Sequence, residues 1–251
     1  MHRTPDDPPV PGSHRSSHDA DPAVDAAAAK AIELVTDGAC VGLGTGRASL
    51  AFISKLGERV RQGLRVSGVP TSGAAAQRAR EAGVPLVALD GRRLDLTVDG
   101  ADEVSPALDL VKGWGGALVR ERIVAAASAR QVIIVGEEKL VRQLGERGRV
   151  PIEVRPGALD SVGAGIEALG LVPTVRMDAH GEVFITENGN PIIDAAPRAV
   201  LGDASAVREL ERRLLALRGV VDTGLFLGTA ERVLVGYRDG HVETLVRSPG
   251  N

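Results

Sequence analysis

Cysteine is nearly absent from this chain, since Cys40 is the only one among 251 residues. A single thiol cannot form an intramolecular disulfide, and it cannot supply the thiolate cluster of a structural zinc site. We therefore expect a cytoplasmic protein whose fold is held by its core rather than by cross-links.

Aromatic residues are also scarce, at 2% of the chain, so Val, Leu, Ile and Ala must fill the core. This composition suits parallel strands packed against Ala-rich helices, and it disfavours the stacking platforms that bind single-stranded nucleic acid. The net charge of -3 provides no general attraction for a polyanion. We expect no nucleic-acid partner, although a local basic pocket for one phosphate is compatible with this balance.

Long apolar runs are missing as well. No stretch approaches the roughly 18 apolar residues of a membrane span, and residues 1–21 lack the apolar centre of a secretory signal. That segment holds three of the five histidines and is rich in Pro, Ser and Asp. We expect a disordered tail rather than a metal site, because nothing in it would hold the histidines in place.

From Pro22 onward, short apolar runs alternate with helical periodicity, which predicts an α/β fold: a doubly wound, mostly parallel sheet (Rossmann-like) with a second, smaller domain. Strands are predicted at 39–43, 64–69, 85–89, 94–98, 110–112 and 131–135, and helices at 22–35, from about 48, at 72–82 and at 117–129.

The pattern changes near residue 148. Strands are predicted at 152–154, 174–177, 183–186 and 191–194, and helices at 158–169 and 204–216. We interpret residues 148–219 as a small α+β (ferredoxin-like) domain. Strand-rich residues 220–251 are predicted to return to residues 22–147, completing the Rossmann-like domain.

Glycines at 42, 44 and 46 follow the first predicted strand. Amides of such a loop, at a helix N-terminus, can bind phosphate. A dinucleotide fingerprint would need a third glycine where Arg47 stands and an acid about 20 residues on, and both are missing. The choice that stays open is between a phosphate loop completed by Thr45 and Arg47 and a plain strand-to-helix turn.

Two aspartates, Asp99 and Asp102, end the apolar strand before them. Ligands of open parallel sheets bind at the carboxyl ends of strands, so these carboxylates lie where chemistry is expected. With only Gly100 and Ala101 between them, both can turn toward one pocket. The alternative is that Asp99 starts a turn and Asp102 caps a helix.

Lys112 ends another short strand and is followed by the run GWGG and a helix that carries Glu121. A lysine beside carboxylates, with glycine amides nearby, can stabilise an anion. Glu121 stands between two arginines, and spacing alone favours a solvated helix face for it.

Seven runs together resemble type A ribose-5-phosphate isomerase over about residues 22–246: GLGTGRAS, VDGADE, KGWGGALVRERIVA, GEEK, PIEV, NGN and GVVDTGLF. The resemblance implies a metal-free and cofactor-free aldose-ketose isomerase of the non-oxidative pentose phosphate pathway, which interconverts D-ribose 5-phosphate and D-ribulose 5-phosphate through a cis-enediolate.

The same resemblance implies roles for single residues. Glu121 matches the family's proton acceptor, Asp99 and Asp102 its paired aspartates in ring opening and proton movement, and Lys112 the cation near the reacting oxygens. The family's substrate-contacting segments match Thr45, Gly46, Arg47, Ala48, Ser49, Gly100, Ala101, Gly113, Trp114, Gly115 and Lys139.

Two departures from the family pattern affect these expectations. Arg47 and Ala48 replace a hydroxyl pair, so the phosphate contact is expected to shift to Arg47, Thr45 and Ser49. Trp114 interrupts a glycine run, which predicts ordinary backbone angles there and a ring turned away from the pocket or over it.

Two rival functions fit the sequence less well. A sugar-phosphate-sensing effector domain of a transcription regulator would need a helix-turn-helix segment, for which the Pro-rich tail is too short. An aminosugar-phosphate isomerase or deaminase would need a histidine near its base, and His180 and His241 lie outside the strand-end motifs. We expect a homodimer with a small sugar phosphate as its substrate, and no membrane partner.

Overall fold

The computed structural model describes residues 21–198 and 200–247, so the predicted disordered tail lies outside the described residues except for Asp21. In chain order the elements are α1 (Pro22–Ile32), β1 (Cys40–Leu43), α2 (Arg47–Arg61), β2 (Ser67–Pro70), α3 (Gly73–Ala82), β3 (Leu96–Asp99), β4 (Glu103–Val104), β5 (Leu110–Val111), α4 (Leu118–Ala126), β6 (Gln131–Gly136), a 3-10 turn (Glu137–Lys139), β7 (Val150–Val154), α5 (Leu159–Ala168), β8 (Leu171–Val175), β9 (Ile192–Pro197), α6 (Ala204–Leu215), β10 (Val220–Thr223), β11 (Leu225–Phe226), β12 (Arg232–Gly236) and β13 (Val242–Val246).

A six-stranded sheet forms the centre of the larger part of the molecule, in the order β13-β12-β6-β3-β1-β2. Every neighbouring pair is parallel except β12 with β13. Its middle strand β6 is buried along its whole length, as a strand covered on both faces should be.

Helices cover both faces of this sheet. Ile134 of β6 packs into the core beneath α1, α2 and α3, whereas its neighbour Ile133 packs on the opposite face with Leu118 of α4. Successive side chains of a strand point to opposite faces, so one apolar run supplies both cores. The predicted doubly wound, mostly parallel α/β fold is therefore confirmed.

Helix boundaries follow local capping chemistry. The Asp21 carboxylate accepts a hydrogen bond from the Ala23 amide at the start of α1, and Ser72 caps α3 by accepting from Ala75. Gly83 ends α3 in the left-handed conformation. At the start of α2, Gly46 has a φ of 92°, which a side chain would disfavour.

A second, antiparallel sheet has the strand order β10-β7-β9-β8 and alternates with α5 and α6 in a β-α-β-β-α-β sequence, the ferredoxin-like arrangement. The prediction for β10 was wrong in one respect, because Val220–Thr223 pairs with β7 in this sheet instead of returning to the larger one. The prediction for residues 110–112 was wrong in its sheet as well, because Leu110–Val111 lies in a third, antiparallel sheet, β11-β5-β4, instead of extending the parallel one. The residue boundaries of the two domains stay a prediction.

Two predicted strands are reduced to isolated bridges. In the first, at 85–89, Leu86 bridges Gly68, and Pro85 has no N–H to donate to a ladder. In the second, at 183–186, tight turns on both sides take up the backbone groups, since Asp178 N–H donates to Glu182 and Thr186 N–H donates to Asn190. Within the described ranges no helix is long and apolar enough to cross a membrane.

Candidate active site

The carboxyl ends of β1, β3 and β6 open onto a cavity of about 190 Å³. This is the sheet edge at which the sequence predicts chemistry. The predicted site residues that line it are Thr45, Gly46, Arg47, Ala48, Gly100, Ala101, Asp102, Lys112, Gly113, Gly115, Glu121 and Lys139. Asp99, Ser49 and Trp114 lie behind or beside its wall. The sequence analysis did not name the further lining residues Val24, Ile134, Val135, Gly136 and Glu138 as site residues, although the last two belong to the run GEEK.

Asp99, at the end of β3, is completely buried. Its Oδ1 atom accepts hydrogen bonds from Thr45 N at 3.1 Å, Ser49 Oγ at 3.0 Å and Gly100 N at 2.7 Å. The glycine loop before α2 lies so close that a Cβ on Gly44 would overlap the carboxylate. Asp99 therefore does more than begin a turn, because its second oxygen, Oδ2, faces the ammonium group of Lys112.

Lys112 places its ammonium among the acids of the cavity. Its Nζ lies 2.9 Å from Asp99 Oδ2 and 3.4 Å from Glu121 Oε2, and it donates to Gly100 O at 2.5 Å. Burial opposes the charge, but the two carboxylates prevail and raise the pKa of Lys112 above its ordinary value. The site therefore holds a permanent cation with 2% of its side chain exposed.

For Glu121, the spacing of charged residues in the sequence favoured a solvent-exposed helix face, and this prediction was wrong. Leu118, Glu121 and Val124 share the buried face of α4, so the side chain points inward rather than into solvent. Burial raises the pKa of Glu121 to about 8, Lys112 opposes this rise, and Asp99 and Asp102 add to it. The carboxyl group can thus exchange its proton near neutral pH, as a general base should.

Asp102 lies on the cavity wall and does not cap a helix. Its Oδ2 accepts a hydrogen bond from the Trp114 backbone N–H at 2.9 Å. Burial raises the pKa of this carboxyl above its usual range, against that hydrogen bond and the charges of Lys112 and Lys139. Asp102 is therefore the second carboxyl of the cavity with a raised proton affinity.

The hydroxyls expected to contact phosphate are already occupied within the protein. Thr45 Oγ1 lies 2.7 Å from Thr71 Oγ1 and 2.8 Å from Ser72 Oγ. The buried Ser49 hydroxyl donates to Asp99, so it holds the carboxylate rather than facing the cavity. The phosphate contact was expected from Arg47, Thr45 and Ser49. Of these three, only the exposed Arg47 side chain makes no internal hydrogen bond within the described residues.

Lys139, from the 3-10 turn after β6, completes the basic side of the cavity. Burial lowers its pKa, and the neighbouring Arg147 and Arg47 lower it further, against the attraction of Asp102. Arg47 and Lys139 both line this cavity. An anion placed between them would be attracted by both charges and would favour the charged form of Lys139.

Trp114 has ordinary backbone angles, as predicted, whereas Gly113 and Gly116 on either side have φ values of 99° and 82°. Two cations lie near its ring, with Arg149 Cζ at 5.0 Å and Lys139 Nζ at 5.7 Å from the ring centroid. The indole N–H donates to Arg149 O at 3.2 Å. The ring therefore lies beside the basic end of the cavity and does not fill it.

Comparison with known proteins identifies the family. The family model described as ribose 5-phosphate isomerase A (phosphoriboisomerase A) matches residues 67–240. The ribose-5-phosphate isomerase A of Gloeobacter violaceus is 46% identical over 224 residues, covering 88% of this chain and 95% of that protein. This chain belongs to the ribose 5-phosphate isomerase A family.

Other members agree over almost their whole length. The enzyme of Deinococcus radiodurans is 46% identical and covers 88% of this chain and 96% of its own. The solved structure of ribose 5-phosphate isomerase A from Methanocaldococcus jannaschii has a TM-score of 0.83 at 39% identity, covering 90% of this chain and 98% of that chain. A D-ribose-5-phosphate isomerase in complex with phospho-erythronic acid has a TM-score of 0.84 at 37% identity, covering 89% and 97%. The resemblance inferred from the motifs is confirmed.

One member of the DGADE motif has a structural task that sequence reasoning did not assign. The buried Glu103 accepts hydrogen bonds from the amides of Gly145 at 2.6 Å and Arg147 at 2.7 Å. It thereby anchors the loop that carries Arg147 toward the basic side of the cavity. Its position beside Asp102 in the motif was the signal available for finding it.

Proposed function

We propose that this isomerase-family chain interconverts D-ribose 5-phosphate and D-ribulose 5-phosphate in the cavity at the end of β1, β3 and β6. The observation that carries the proposal is the burial of Glu121 beside Lys112, because it combines a carboxyl whose pKa is raised to about 8 with a fixed cation. A proton next to a carbonyl is only weakly acidic, so its removal needs both a base and stabilisation of the oxyanion that forms.

In the proposed reaction, Glu121 takes the C2 proton of the open-chain aldose. The C2–H electron pair moves into a C1–C2 double bond, and the carbonyl oxygen O1 becomes the oxyanion of a cis-enediolate. Lys112 and the amides of the glycine turn stabilise that charge. Glu121 then returns its proton to C1, while the O2 proton is transferred to O1 and O2 becomes the ketose carbonyl.

The two aspartates are suited to different tasks. Asp99 Oδ1 accepts three hydrogen bonds and Oδ2 faces Lys112, so we propose that Asp99 holds the lysine and the glycine loop in place. Asp102 lines the cavity with a raised pKa, which suits ring opening and the transfer of the proton between O2 and O1.

Arg47, Lys139 and the first amides of α2 are proposed to bind the phosphate. The positive end of a helix dipole and two cations favour a dianion there. This assignment replaces the Thr45 and Ser49 hydroxyls, whose internal hydrogen bonds would have to be broken for direct contact.

The test is an assay of purified protein with ribose 5-phosphate and a chelator, following the appearance of ribulose 5-phosphate. Removing a general base typically lowers the rate about 10²- to 10⁴-fold, so Glu121→Gln should do so. Glu167→Gln, an exposed substitution on α5, is the matched control and should retain the parent rate. An inactive parent protein would refute the function, and an active Glu121→Gln variant would refute the base.

The sensor alternative gains no support from the comparisons. The relatives described above are named as isomerases, and the chain covers nearly all of their length. We propose further that the protein acts in the cytoplasm as a homodimer, within the non-oxidative pentose phosphate pathway, without a metal, cofactor, membrane or nucleic-acid partner. Light scattering of the purified chain tests the dimer.

A further inference from the structure

Arg176 follows β8 of the four-stranded sheet and is buried, with a relative exposure of 9%. Its guanidinium forms a two-point ion pair with Asp194 of β9, in which Nε donates to Oδ2 at 2.9 Å and Nη2 donates to Oδ1. Such a planar pair fixes the orientation of the guanidinium more strictly than a single contact would. One N–H group of Arg176, on Nη1, is directed away from the pair.

That Nη1 group reaches the glycine turn of the cavity. It donates to Gly113 O at 3.0 Å and to Trp114 O at 3.1 Å. The Gly113–Trp114 peptide unit is therefore bonded on both sides, because its carbonyl accepts from Arg176 and its N–H donates to Asp102 Oδ2 at 2.9 Å. A single peptide thus links a buried ion pair of the small sheet to a carboxylate of the active site.

We propose that Arg176 is a positioning residue of this isomerase, which holds the Gly113–Trp114 peptide so that its N–H is directed at Asp102. The role rests on the proposed function, since it matters to catalysis only if Asp102 takes part in the reaction. Asp194 contributes indirectly by fixing the guanidinium.

The contact is needed because the rest of the turn holds this peptide weakly. Gly113 has a φ of 99°, so its backbone has the wide conformational freedom of glycine, and the turn itself supplies one further bond, from Gly116 N to Gly113 O at 3.0 Å. A donor with a formal charge forms a stronger hydrogen bond than a neutral one and polarises the peptide toward its acceptor. Loss of Arg176 should let the peptide rotate and leave Asp102 without its only backbone donor among the described hydrogen bonds.

A single substitution of Arg176 would leave the Asp194 carboxylate buried without its main partner, which can unfold a protein. The test therefore uses the double variant Arg176→Met/Asp194→Leu, which replaces the whole pair with apolar side chains of similar size. Arg176→Lys is a second variant that keeps the charge but not the planar fork. Arg212→Met/Glu209→Leu is the matched control, because it removes the same kind of two-point arginine–carboxylate pair from the exposed side of α6, away from the peptide.

The chain offers a direct probe of this peptide, since Trp114 is the only tryptophan. Protein labelled with ¹⁵N-tryptophan should give one backbone amide signal, which reports the bond to Asp102, and one indole signal, which reports the ring. In the double variant we expect the amide signal to move upfield and its hydrogen exchange to accelerate. The Arg212→Met/Glu209→Leu control should leave the amide signal in place.

Kinetics supply the second readout. Misplacing one group of a reacting assembly by about 1 Å can lower a rate 10²-fold, so kcat of the double variant should fall about ten- to a hundredfold, with a KM for ribose 5-phosphate within about threefold of the parent. Arg176→Lys should give an intermediate kcat. An unmoved amide signal, or a moved signal with unchanged kcat, would overturn the positioning role. A parent protein without isomerase activity would instead overturn the proposed function, while the amide signal would still report whether Arg176 holds the peptide.

Discussion

Replacing Glu121 by Gln should make the stability of this protein less sensitive to pH. The ordinary pKa of 4.5 is raised to about 8 in the folded chain, with burial as the first cause. The unfolded chain therefore loses this proton at much lower pH than the folded chain. Gln has nearly the shape of the protonated carboxyl but cannot ionise, so the variant keeps the packing and removes the titration.

The sign of the effect follows from proton linkage. Because the folded pKa is raised, the contribution to stability is fully present below about pH 4.5 and is lost as pH rises to about 8. Each unit of pH in this window removes about 1.4 kcal/mol, so the full difference approaches 5 kcal/mol. Through most of this window the folded parent holds Glu121 protonated, so the substitution removes no ion pair of Lys112 there, and Lys112 keeps Asp99 at 2.9 Å in both proteins.

Urea unfolding of parent and variant at about pH 5, 6.5 and 8 measures the effect through the free energy of unfolding. The advantage of Glu121→Gln over the parent should grow by roughly 4 kcal/mol from the lowest to the highest of these pH values. Glu167→Gln, which removes one exposed carboxylate, is the control for the loss of a single negative charge. A difference between Glu121→Gln and the parent that stays constant with pH would refute the raised pKa.

Three further predictions concern activity and the glycine loop. The kcat/KM of the parent should rise with pH and level off above about 8, because Glu121 must be ionised in the free enzyme; a profile already flat from pH 6 would contradict a base with this pKa. Arg47→Ala should raise KM for ribose 5-phosphate at least about tenfold with kcat nearly unchanged, as expected for loss of a phosphate contact. The control Arg93→Ala, at an exposed position, should leave both constants unaltered. Equal KM values for Arg47→Ala and the parent would remove Arg47 from the phosphate site. Gly44→Ala should lower the melting temperature and kcat, because its Cβ would overlap the aspartate that ends β3. By contrast, Gly163→Ala in α5, where a Cβ meets nothing within 4 Å, should stabilise the protein by about 0.5–1 kcal/mol in thermal unfolding. Similar melting temperatures of the two variants would refute the close approach of Gly44 to the aspartate.

The sequence by itself determined the central sheet and the edge at which its chemistry lies. Buried parallel strands are short apolar runs, and the residues that end them are neighbours in space because the carboxyl ends of parallel strands meet at one edge. For this reason the order of strands along the chain is enough to assign Asp99 and Asp102 to that edge, whereas Lys112 follows β5 of the antiparallel third sheet and its approach to them depends on the tertiary structure. Trp114 was also correctly assigned ordinary backbone angles, since that follows from the sterics of a single residue.

Only the tertiary structure decided how these groups are paired. Glu121 lies on a short helix whose sequence is compatible with a solvated face, and its burial depends on what α4 packs against. Likewise, the Ser49 hydroxyl could serve a phosphate or a carboxylate, and the close approach of the loop to Asp99 decides for the carboxylate. The contact of Arg176 with Gly113 joins residues 63 positions apart, which follow strands of two different sheets. Hydrogen bonds over such separations leave no local periodicity, so the chain alone predicts the acids and the lysine but not the network that sets their proton affinities.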